Sequence, residues 1–457
     1  MIRRMPIAAS KIYIETYGCQ MNDYESDRTF RLFHDQFGYE WTTNPYDADL
    51  VLFNTCSIRE KADQKALSSI GTLRAAKLQN PGMVIAVGGC MAQSQGDDLQ
   101  RRFPFVDIVF GTHQWANLPE MVEKARIGRE RLMEVEFYGW KNYSFLPYRS
   151  STRVHPVSEL VTVQNGCDRF CTFCLVPFTR GREVSRPPED IVDEVRALVD
   201  QGVREVTLLG QNVNAYGRDR SGVISFAELL RRVTDVPALE RVRFVTSHPA
   251  ELSAELIDAM AENPKVCEHL HLPVQSGSDT VLSRMNRGYT IDEYRRKSST
   301  LLKKIPRLEL TTDIIVGFPS ETEADFQQTL DLVSEFQFAD SFSFCFSPRP
   351  HTKAANWTSE FVSAEVGADR LSRLQSLQNE IRERKMKEYV GDVVEVLAEG
   401  EAKSGEGFLS GRTRTNRSVN FPGRNEWIGR LQMARITEAL SHSFRGESVN
   451  AGVEHVH

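Results

Sequence analysis

Three cysteines stand close together near the middle of the chain, in the stretch GCDRFCTFC at 166–174. They are Cys167, Cys171 and Cys174, and no fourth cysteine or histidine follows closely. Soft sulfur ligands select zinc, copper(I) or iron–sulfur clusters. Structural zinc sites are closed by four protein ligands, whereas a 4Fe–4S cube held by three thiolates leaves one iron open. The spacing therefore favours an iron–sulfur cluster, in which one iron has an open coordination site, over a zinc knuckle.

A second set of three cysteines lies in the first third of the chain, at wide spacing. Cys19, Cys56 and Cys90 each follow an apolar run that is typical of a β-strand. Because the carboxyl ends of parallel strands share one edge of a doubly wound sheet, these thiols can converge there. Three ordinary buried cysteines fit the spacing about equally well. Gly18 and the pair Gly88–Gly89 favour a site, since glycine permits tight turns around a bulky ligand.

The elements that must position the first set alternate between strand and helix from about residue 151 to 357. Six apolar, β-branched runs are separated by helix-period stretches: ELVTVQN, REVTLLG, RVRFVTS, HLHLPVQ, LELTTDIIVG and SFSFCFS. Repeated β–α units predict a parallel sheet, and six of them suit a partly closed (β/α)6 barrel. In such barrels the chemistry lies at the carboxyl ends of the strands. The three-cysteine loop follows the first of these runs, so its position is that of an active site.

Short β-like runs follow residue 392 and predict a small β-barrel of a kind that often binds oligonucleotides. The stretch GRTRTNR at 411–417 supplies Arg412, Arg414 and Arg417, which we expect to contact phosphates. A solvated loop is the alternative for this cluster. Aromatic side chains in the same segment can stack on bases, although filling the barrel core is the favoured interpretation.

Composition bounds the remaining possibilities. The 457 residues are too many for one ordinary core and predict about three domains. The net charge of −6 gives no global nucleic-acid signal, so any basic footprint must be local. Apolar stretches such as 83–92 fall well short of the roughly 20 residues of a membrane span. The first ten residues lack an apolar signal region, which indicates a cytoplasmic protein whose thiols stay reduced.

These motifs together resemble the radical S-adenosylmethionine (SAM) methylthiotransferase family along nearly the whole chain. The stretches that carry the resemblance are YGCQMN, NTCSIRE, GGCMAQ, GCDRFCTFCLVPFTRGREVSRP, LLGQNVNAYG, TSHP, LPVQSGSD, DIIVGFPSETEADF and GRTRTNRSVNF. The resemblance implies three domains. They are an α/β methylthiotransferase domain at 1–145, a radical SAM domain at 151–385 and an RNA-binding TRAM domain at 388–450.

The family's chemistry implies an enzyme with two 4Fe–4S clusters that uses two SAM molecules. One cluster, on Cys167, Cys171 and Cys174, would bind SAM, and an auxiliary one would occupy Cys19, Cys56 and Cys90. Within the family the chain is most similar to the branch that methylthiolates C2 of N6-dimethylallyladenosine beside the tRNA anticodon. The alternatives are the branch that modifies a ribosomal-protein aspartate and the branch that modifies threonylcarbamoyl-adenosine in tRNA. A non-catalytic RNA-binding iron–sulfur or zinc protein is the rival from another class.

The resemblance also implies SAM contacts at the ends of later strands. We expect them at five positions: Gln211, Asn212, Ser247, Gln275 and Gly317. For each polar residue, a hydrogen bond that caps its own loop is an equally weighted interpretation. The implied partners are tRNA and an electron donor such as a flavodoxin or ferredoxin. We expect a monomer with no membrane contact.

Overall fold

The computed structural model describes residues 10–57, 60–128, 130–138, 143–148, 156–219, 222–403, 405 and 407–449. The chain divides into two compact units. The first comprises Met1–Arg153, Asn165–Asp168 and Leu175–Arg186, and the second comprises Val154–Gln164, Arg169–Cys174 and Pro187–His457. The three-cysteine loop is therefore shared between the units, which the sequence does not predict.

The first unit is built on a six-stranded parallel sheet. Its strands are β1 (Lys11–Thr16), β2 (Glu40–Trp41), β3 (Leu50–Thr55), β4 (Val84–Gly89), β5 (Ile108–Phe110) and β6 (Leu132–Glu134). They lie in the order β2-β1-β3-β4-β5-β6, and every neighbouring pair is parallel. The helices are α1 (Gln20–Phe37), α2 (Glu60–Thr72), α3 (Arg74–Gln79), α4 (Cys90–Arg102) and α5 (Leu118–Gly128).

The central strands of this sheet are apolar because both of their faces are covered. All six residues of β3 and all six of β4 are buried. Leu50 and Leu52 pack with α1 and α5, whereas Val51 and Phe53 pack with α2, α3 and α4. Helices on both faces of a parallel sheet confirm the predicted doubly wound architecture.

The second unit begins with six parallel strands that form a partial barrel. The elements of the middle of the chain are β7 (Ser158–Thr162), β8 (Gln164–Asn165), α6 (Val176–Thr179), β9 (Val184–Ser185), α7 (Pro188–Asp200), β10 (Glu205–Leu209), α8 (Phe226–Thr234), β11 (Arg241–Phe244), α9 (Ala254–Glu262), β12 (His269–His271), α10 (Asp279–Arg284), α11 (Ile291–Lys304), β13 (Glu309–Val316), α12 (Glu323–Phe336) and β14 (Asp340–Cys345). The barrel strands form two three-stranded sheets, β11-β10-β7 and β12-β13-β14. A parallel bridge between Val242 and Val266 joins them. The predicted barrel of six β–α units is confirmed.

The C-terminal part of the second unit is a small closed β-barrel, as predicted. It follows α13 (Ala364–Glu388) and consists of β15 (Val393–Glu401), β16 (Phe408–Thr413), β17 (Ser418–Pro422), β18 (Leu431–Ala439) and β19 (Ser443–Ser448). The strands close in the order β15-β16-β17-β19-β18. Val396, Val419, Phe421 and Phe444 fill its core. Among the helices described, none combines the length and apolar character needed to cross a membrane.

Ion pairs fix this small barrel to the amino ends of the larger barrel's strands. Arg241, the first residue of β11, donates to the Arg412 carbonyl at 2.6 Å and to the Glu395 carboxylate at 2.7 Å. Arg243 donates to the carbonyls of Thr413 and Arg414. The small barrel is thereby attached at the amino ends of the larger barrel's strands.

Candidate functional site

The first candidate site lies at the carboxyl edge of the first unit's sheet. Cys19 begins α1 after β1, Cys56 follows β3, and Cys90 is the first residue of α4 after β4. The strand order reverses between β1 and β3, and ligands of doubly wound sheets bind at that switch point. The structure thus brings the three cysteines of the N-terminal set to one edge, and Cys56 and Cys90 are buried.

The thiols influence one another electrostatically. A hydrogen bond with the Cys56 side chain lowers the pKa of Cys19 to about 5; the charge of Arg180 acts in the same direction, and burial opposes the fall. Burial raises the pKa of Cys90, and the negative charges of Glu25 and Cys19 act in the same direction. The low pKa favours the thiolate form of Cys19, which is the form in which sulfur binds a soft metal.

Two buried asparagines hold the loops of this site together. The Asn22 Oδ1 atom accepts hydrogen bonds from both the backbone N–H and the thiol of Cys19, each at 3.3 Å. The Asn22 amide donates to Asn54 Oδ1 at 2.7 Å, and the Asn54 amide donates to the Asn22 carbonyl at 2.8 Å. This reciprocal pair ties the start of α1 to the end of β3, two residues before Cys56. Sequence reasoning missed both residues although they lie in the YGCQMN and NTCSIRE motifs.

Glycine is required immediately before Cys90. Gly89 has φ 96°, and an added Cβ would overlap the Thr55 carbonyl oxygen. An added Cβ on Gly88 would overlap the ring of Phe110. The absence of side chains therefore lets β4 approach its neighbours and turn sharply into α4, which sets the position of the Cys90 thiol.

A buried ion pair lies beside these thiols. Arg180 donates to the two carboxylate oxygens of Glu25 at 2.7 and 3.3 Å, and both side chains are almost completely buried. The Arg180 charge acts on Cys19 and Cys90, as the pKa effects above indicate. The carbonyl of the next residue, Gly181, accepts a hydrogen bond from the Cys167 N–H at 3.2 Å. One short segment thus contacts α1 and supports the first cysteine of the central loop.

The donor chemistry of this edge suits an iron–sulfur cluster. Among the residues that the structure describes, no three His, Cys, Asp or Glu side chains converge as they would around one metal ion. A 4Fe–4S cube places its thiolate ligands on separate irons and so holds them apart. Three sulfur donors at one edge suit such a cluster.

The remainder of the central cysteine loop is held by the segment after α10. Thr172 donates its N–H to the Met285 carbonyl at 3.1 Å and its hydroxyl to the Arg284 carbonyl at 2.9 Å. The buried Arg287 guanidinium lies 3.4 Å from the Cys171 sulfur. The Cys174 N–H donates to the Cys171 carbonyl at 3.0 Å, which closes a tight turn between these two cysteines. Arg287 was not singled out from the sequence, because its contact with Cys171 spans 116 residues.

Buried polar atoms without partners mark the carboxyl end of the barrel. Within the described part of the chain, no hydrogen-bond partner reaches Asn212 Oδ1, Ser247 Oγ or Gln275 Oε1. The same holds there for Gln164 Nε2 and His248 Nε2. Because a buried unpaired polar atom costs about 1–3 kcal/mol, a cluster of five points to a polar ligand. Three of the five are residues expected to contact SAM, whereas neither Gln164 nor His248 was predicted as a ligand.

The glycine turn after β13 has the backbone freedom expected of it. Gly317 has φ 67° and donates its N–H to Glu321 Oε2 at 2.6 Å. Arg370 donates to the same oxygen at 2.9 Å. Burial raises the pKa of Glu321 to about 7, although both donors oppose the rise. Gln211, the remaining expected SAM contact, lies at the end of β10 and is partly exposed.

The three arginines of the GRTRTNR turn have partners that the sequence does not predict. Arg414 donates to Glu268 at 3.0 Å, and Arg417 donates to Glu309 at 2.6 Å. Their side chains are only 22% and 11% exposed, and both guanidiniums form ion pairs with residues of the larger barrel. Arg412 is about half exposed; its guanidinium lies 3.6 Å from the Glu399 carboxylate and donates to Asn416 at 3.0 Å. The predicted phosphate contact therefore suits Arg412 better than the other two.

Comparisons with known families place domains on the same segments. The Radical SAM superfamily matches residues 161–333, and the TRAM domain matches residues 387–449. The group described as Uncharacterized protein family UPF0004 matches residues 11–111. The cysteine loop and the partial barrel thus belong to the radical SAM class of enzymes.

Similar proteins of known name extend over almost the whole chain. The tRNA-2-methylthio-N(6)-dimethylallyladenosine synthase of Geobacter sulfurreducens is 47% identical over 96% of this chain and 97% of its own. The protein of the same name from Syntrophotalea carbinolica is 45% identical over 96% and 99%. That from Thiobacillus denitrificans is 44% identical over 97% and 99%. The chain belongs to the family of tRNA-2-methylthio-N(6)-dimethylallyladenosine synthases.

Solved structures share the fold at low sequence identity. The radical SAM methyltransferase TsrM from Kitasatospora setae, with tryptophan and a SAM analogue, has a TM-score of 0.58 at 16% identity. The match covers 76% of this chain and 75% of that protein. The cobalamin-dependent radical enzyme OxsB has a TM-score of 0.51 at 12% identity, over 81% and 56%.

Proposed function

We propose that this protein methylthiolates C2 of N6-dimethylallyladenosine at position 37 of tRNA, using SAM and two 4Fe–4S clusters. The observation that carries the proposal is the presence of two three-cysteine sets, each at the carboxyl end of parallel strands. Three thiolates per set leave one iron of each cluster open. A chain of a tRNA-modifying family with two such sets has one site for SAM cleavage and another for the sulfur to be transferred.

The chain's own residues divide the work of binding. When bound, the clusters supply an electron for SAM cleavage and a site for the transferred sulfur, which is chemistry that acid–base side chains lack. Cys167, Cys171 and Cys174 hold one cluster, and Cys19, Cys56 and Cys90 hold the other. The unpartnered polar atoms at the carboxyl end of the barrel bind the polar groups of SAM.

Several backbone and surface features complete the binding site. Gly317 lets the backbone approach the adenine of SAM, and the partly exposed side chain of Gln211 follows the end of β10. Arg412, on the C-terminal barrel, is positioned to contact an RNA phosphate. We propose the domain limits 1–145, 151–385 and 388–450 for these three functions.

Mass spectrometry of tRNA nucleosides tests the activity. Cells that lack the protein should lose the 2-methylthio derivative and accumulate N6-dimethylallyladenosine, and the wild-type gene should restore it. A C167A/C171A/C174A variant should not restore it. Cys267→Ala, which removes a buried cysteine outside both sets, should restore it. An unchanged nucleoside profile would instead favour the ribosomal-protein branch.

Iron analysis after anaerobic reconstitution tests the clusters separately. We expect about eight irons per chain, falling to about four in the C167A/C171A/C174A variant. Zinc without iron would contradict the proposal and favour a non-catalytic RNA-binding protein. We further propose that the protein is a monomer and that it is cytoplasmic, because its substrate is tRNA. SAM cleavage needs one electron, and we propose that a flavodoxin or ferredoxin supplies it.

A further inference from the structure

A stripe of aromatic side chains lines the inner face of the last barrel strand. On β14, Phe342 is 54% exposed and Phe344 is 40% exposed, and the two side chains lie on the same face of the strand. Cys345 points the other way, because its sulfur lies 3.7 Å from the position of a Cβ on Gly367 of α13. Phe342 and Phe344 therefore face away from α13, into the barrel.

The stripe continues to the cysteine loop. Phe346 follows β14 and stacks edge-on with Phe318 at 5.2 Å. Phe318 in turn contacts Phe173, which stands between Cys171 and Cys174, at 6.4 Å. Phe346, Phe173 and Ile315 pack against one apolar cluster. Packed apolar side chains thus connect the end of β14 to the cysteine loop.

An acidic side chain, Asp313, lies beside this aromatic stripe. Asp313 of β13 is opposite Phe342 in the sheet register, and its carboxylate lies 3.3 Å from His271 Nε2. The His271 ring contacts Phe342 at 6.1 Å. The arginines at the foot of the barrel are already paired, Arg243 with Glu205 and Arg241 with Glu395. The surface therefore suits an uncharged apolar group and disfavours a carboxylate.

We propose that Phe342 and Phe344 bind the dimethylallyl group of the substrate base and select it over other N6 substituents. The proposal rests on the proposed function and identifies the part of that site which reads the substituent. A branched five-carbon chain buries well against two aromatic faces, whereas adenosine lacks it. A threonylcarbamoyl substituent carries a carboxylate, which would meet Asp313. The two phenylalanines are thus specificity-determining residues.

The test measures binding of short anticodon stem-loop RNAs to the reconstituted full-length protein. Three RNAs differ only at the modified adenosine, which carries dimethylallyl, hydrogen or threonylcarbamoyl on N6. Wild-type protein should bind the dimethylallyl RNA best. In the F342A/F344A variant, the ratio of affinities for dimethylallyl RNA and unmodified RNA should fall about tenfold. One methylene in an apolar pocket already discriminates between ligands by that much. F342L/F344L should retain most of it because its surface stays apolar.

Phe37→Ala is the matched control, since this side chain is 52% exposed and lies on α1 of the other unit. It should leave the preference unchanged. An unaltered preference in F342A/F344A, equal losses in the Ala and Leu variants, or tighter binding of the threonylcarbamoyl RNA would overturn the inference alone. If the wild-type protein neither binds nor modifies the dimethylallyl RNA, the proposed function fails with it.

Discussion

Replacing Glu309 with glutamine tests how firmly the C-terminal barrel is fixed to the radical SAM barrel. The Glu309 carboxylate accepts a hydrogen bond from Arg417 at 2.6 Å and another from the Tyr389 hydroxyl at 2.8 Å. The Glu309 and Arg417 side chains are only 5% and 11% exposed. The substitution keeps the shape of the side chain but leaves the Arg417 charge without its counter-charge.

The expected destabilisation follows from this burial. Removing one partner of a buried ion pair costs about 3–5 kcal/mol. Glutamine still offers an acceptor, and Arg417 keeps its bond to the Ala339 carbonyl at 3.0 Å, so we expect about 3 kcal/mol, the lower end. At about 2 °C per kcal/mol for a large domain, the melting temperature of this unit should fall by about 6 °C.

The assay is calorimetry of wild type, Glu309→Gln and a surface control, Glu438→Gln. Glu438 pairs with Arg445 at 3.0 Å, but the two side chains are 50% and 64% exposed. Such a pair contributes at most about 1 kcal/mol, so the control should shift the melting temperature by less than about 2 °C. Equal shifts in the two variants would refute the reasoning, as would separate melting of the C-terminal barrel in the wild type.

Three further perturbations have expected outcomes. Glu321 has a pKa of about 7 in the folded protein, above its ordinary 4.5, so its contribution to stability is present below about pH 4.5 and is lost as pH rises through 7. Glu321→Gln removes this loss, and its melting temperature relative to wild type should rise over that window, by the equivalent of about 3 kcal/mol. Asn22→Ala removes the acceptor for Cys19 and should lower the iron retained by a C167A/C171A/C174A background, with full retention contradicting the assigned role. Gly89→Ala forces a side chain against the Thr55 carbonyl and should reduce iron content similarly, whereas Gly38→Ala, at another glycine of positive φ with open space around it, should not.

Much of the architecture was predictable because short patterns of apolar and polar residues determine the strands and helices. The six barrel strands and the edge position of Cys19, Cys56 and Cys90 follow from apolar runs that end in cysteine or in a polar turn. Each such run spans only a few residues, and its period is visible without knowledge of its neighbours. The placement of three distant cysteines at one edge of the sheet then follows from the rule for parallel sheets.

The pairing of charged side chains could not be predicted in the same way. Arg414 and Arg417 resemble free phosphate ligands in sequence, yet their partners Glu268 and Glu309 lie 146 and 108 residues away. Glu25 and Arg180 are separated by 155 residues. Nothing local marks such a pair, since an exposed arginine and a buried, paired one have the same neighbours along the chain. Phe342 likewise lies in an alternating apolar run that predicts a buried side chain, so the sequence did not indicate its exposure.

The division of the cysteine loop between two folding units affects how the protein can be dissected. A fragment that stops near residue 150 would contain the whole parallel sheet and all three N-terminal cysteines, but not Arg180. Its Glu25 would then lose the counter-charge that pairs with it in the full chain. A gene fragment designed from domain limits alone would therefore yield a weakened N-terminal half. Adding residues 175–186 as a linked peptide should restore the stability of this fragment. The short segment therefore belongs structurally to the N-terminal unit, although it lies far from that unit in the sequence.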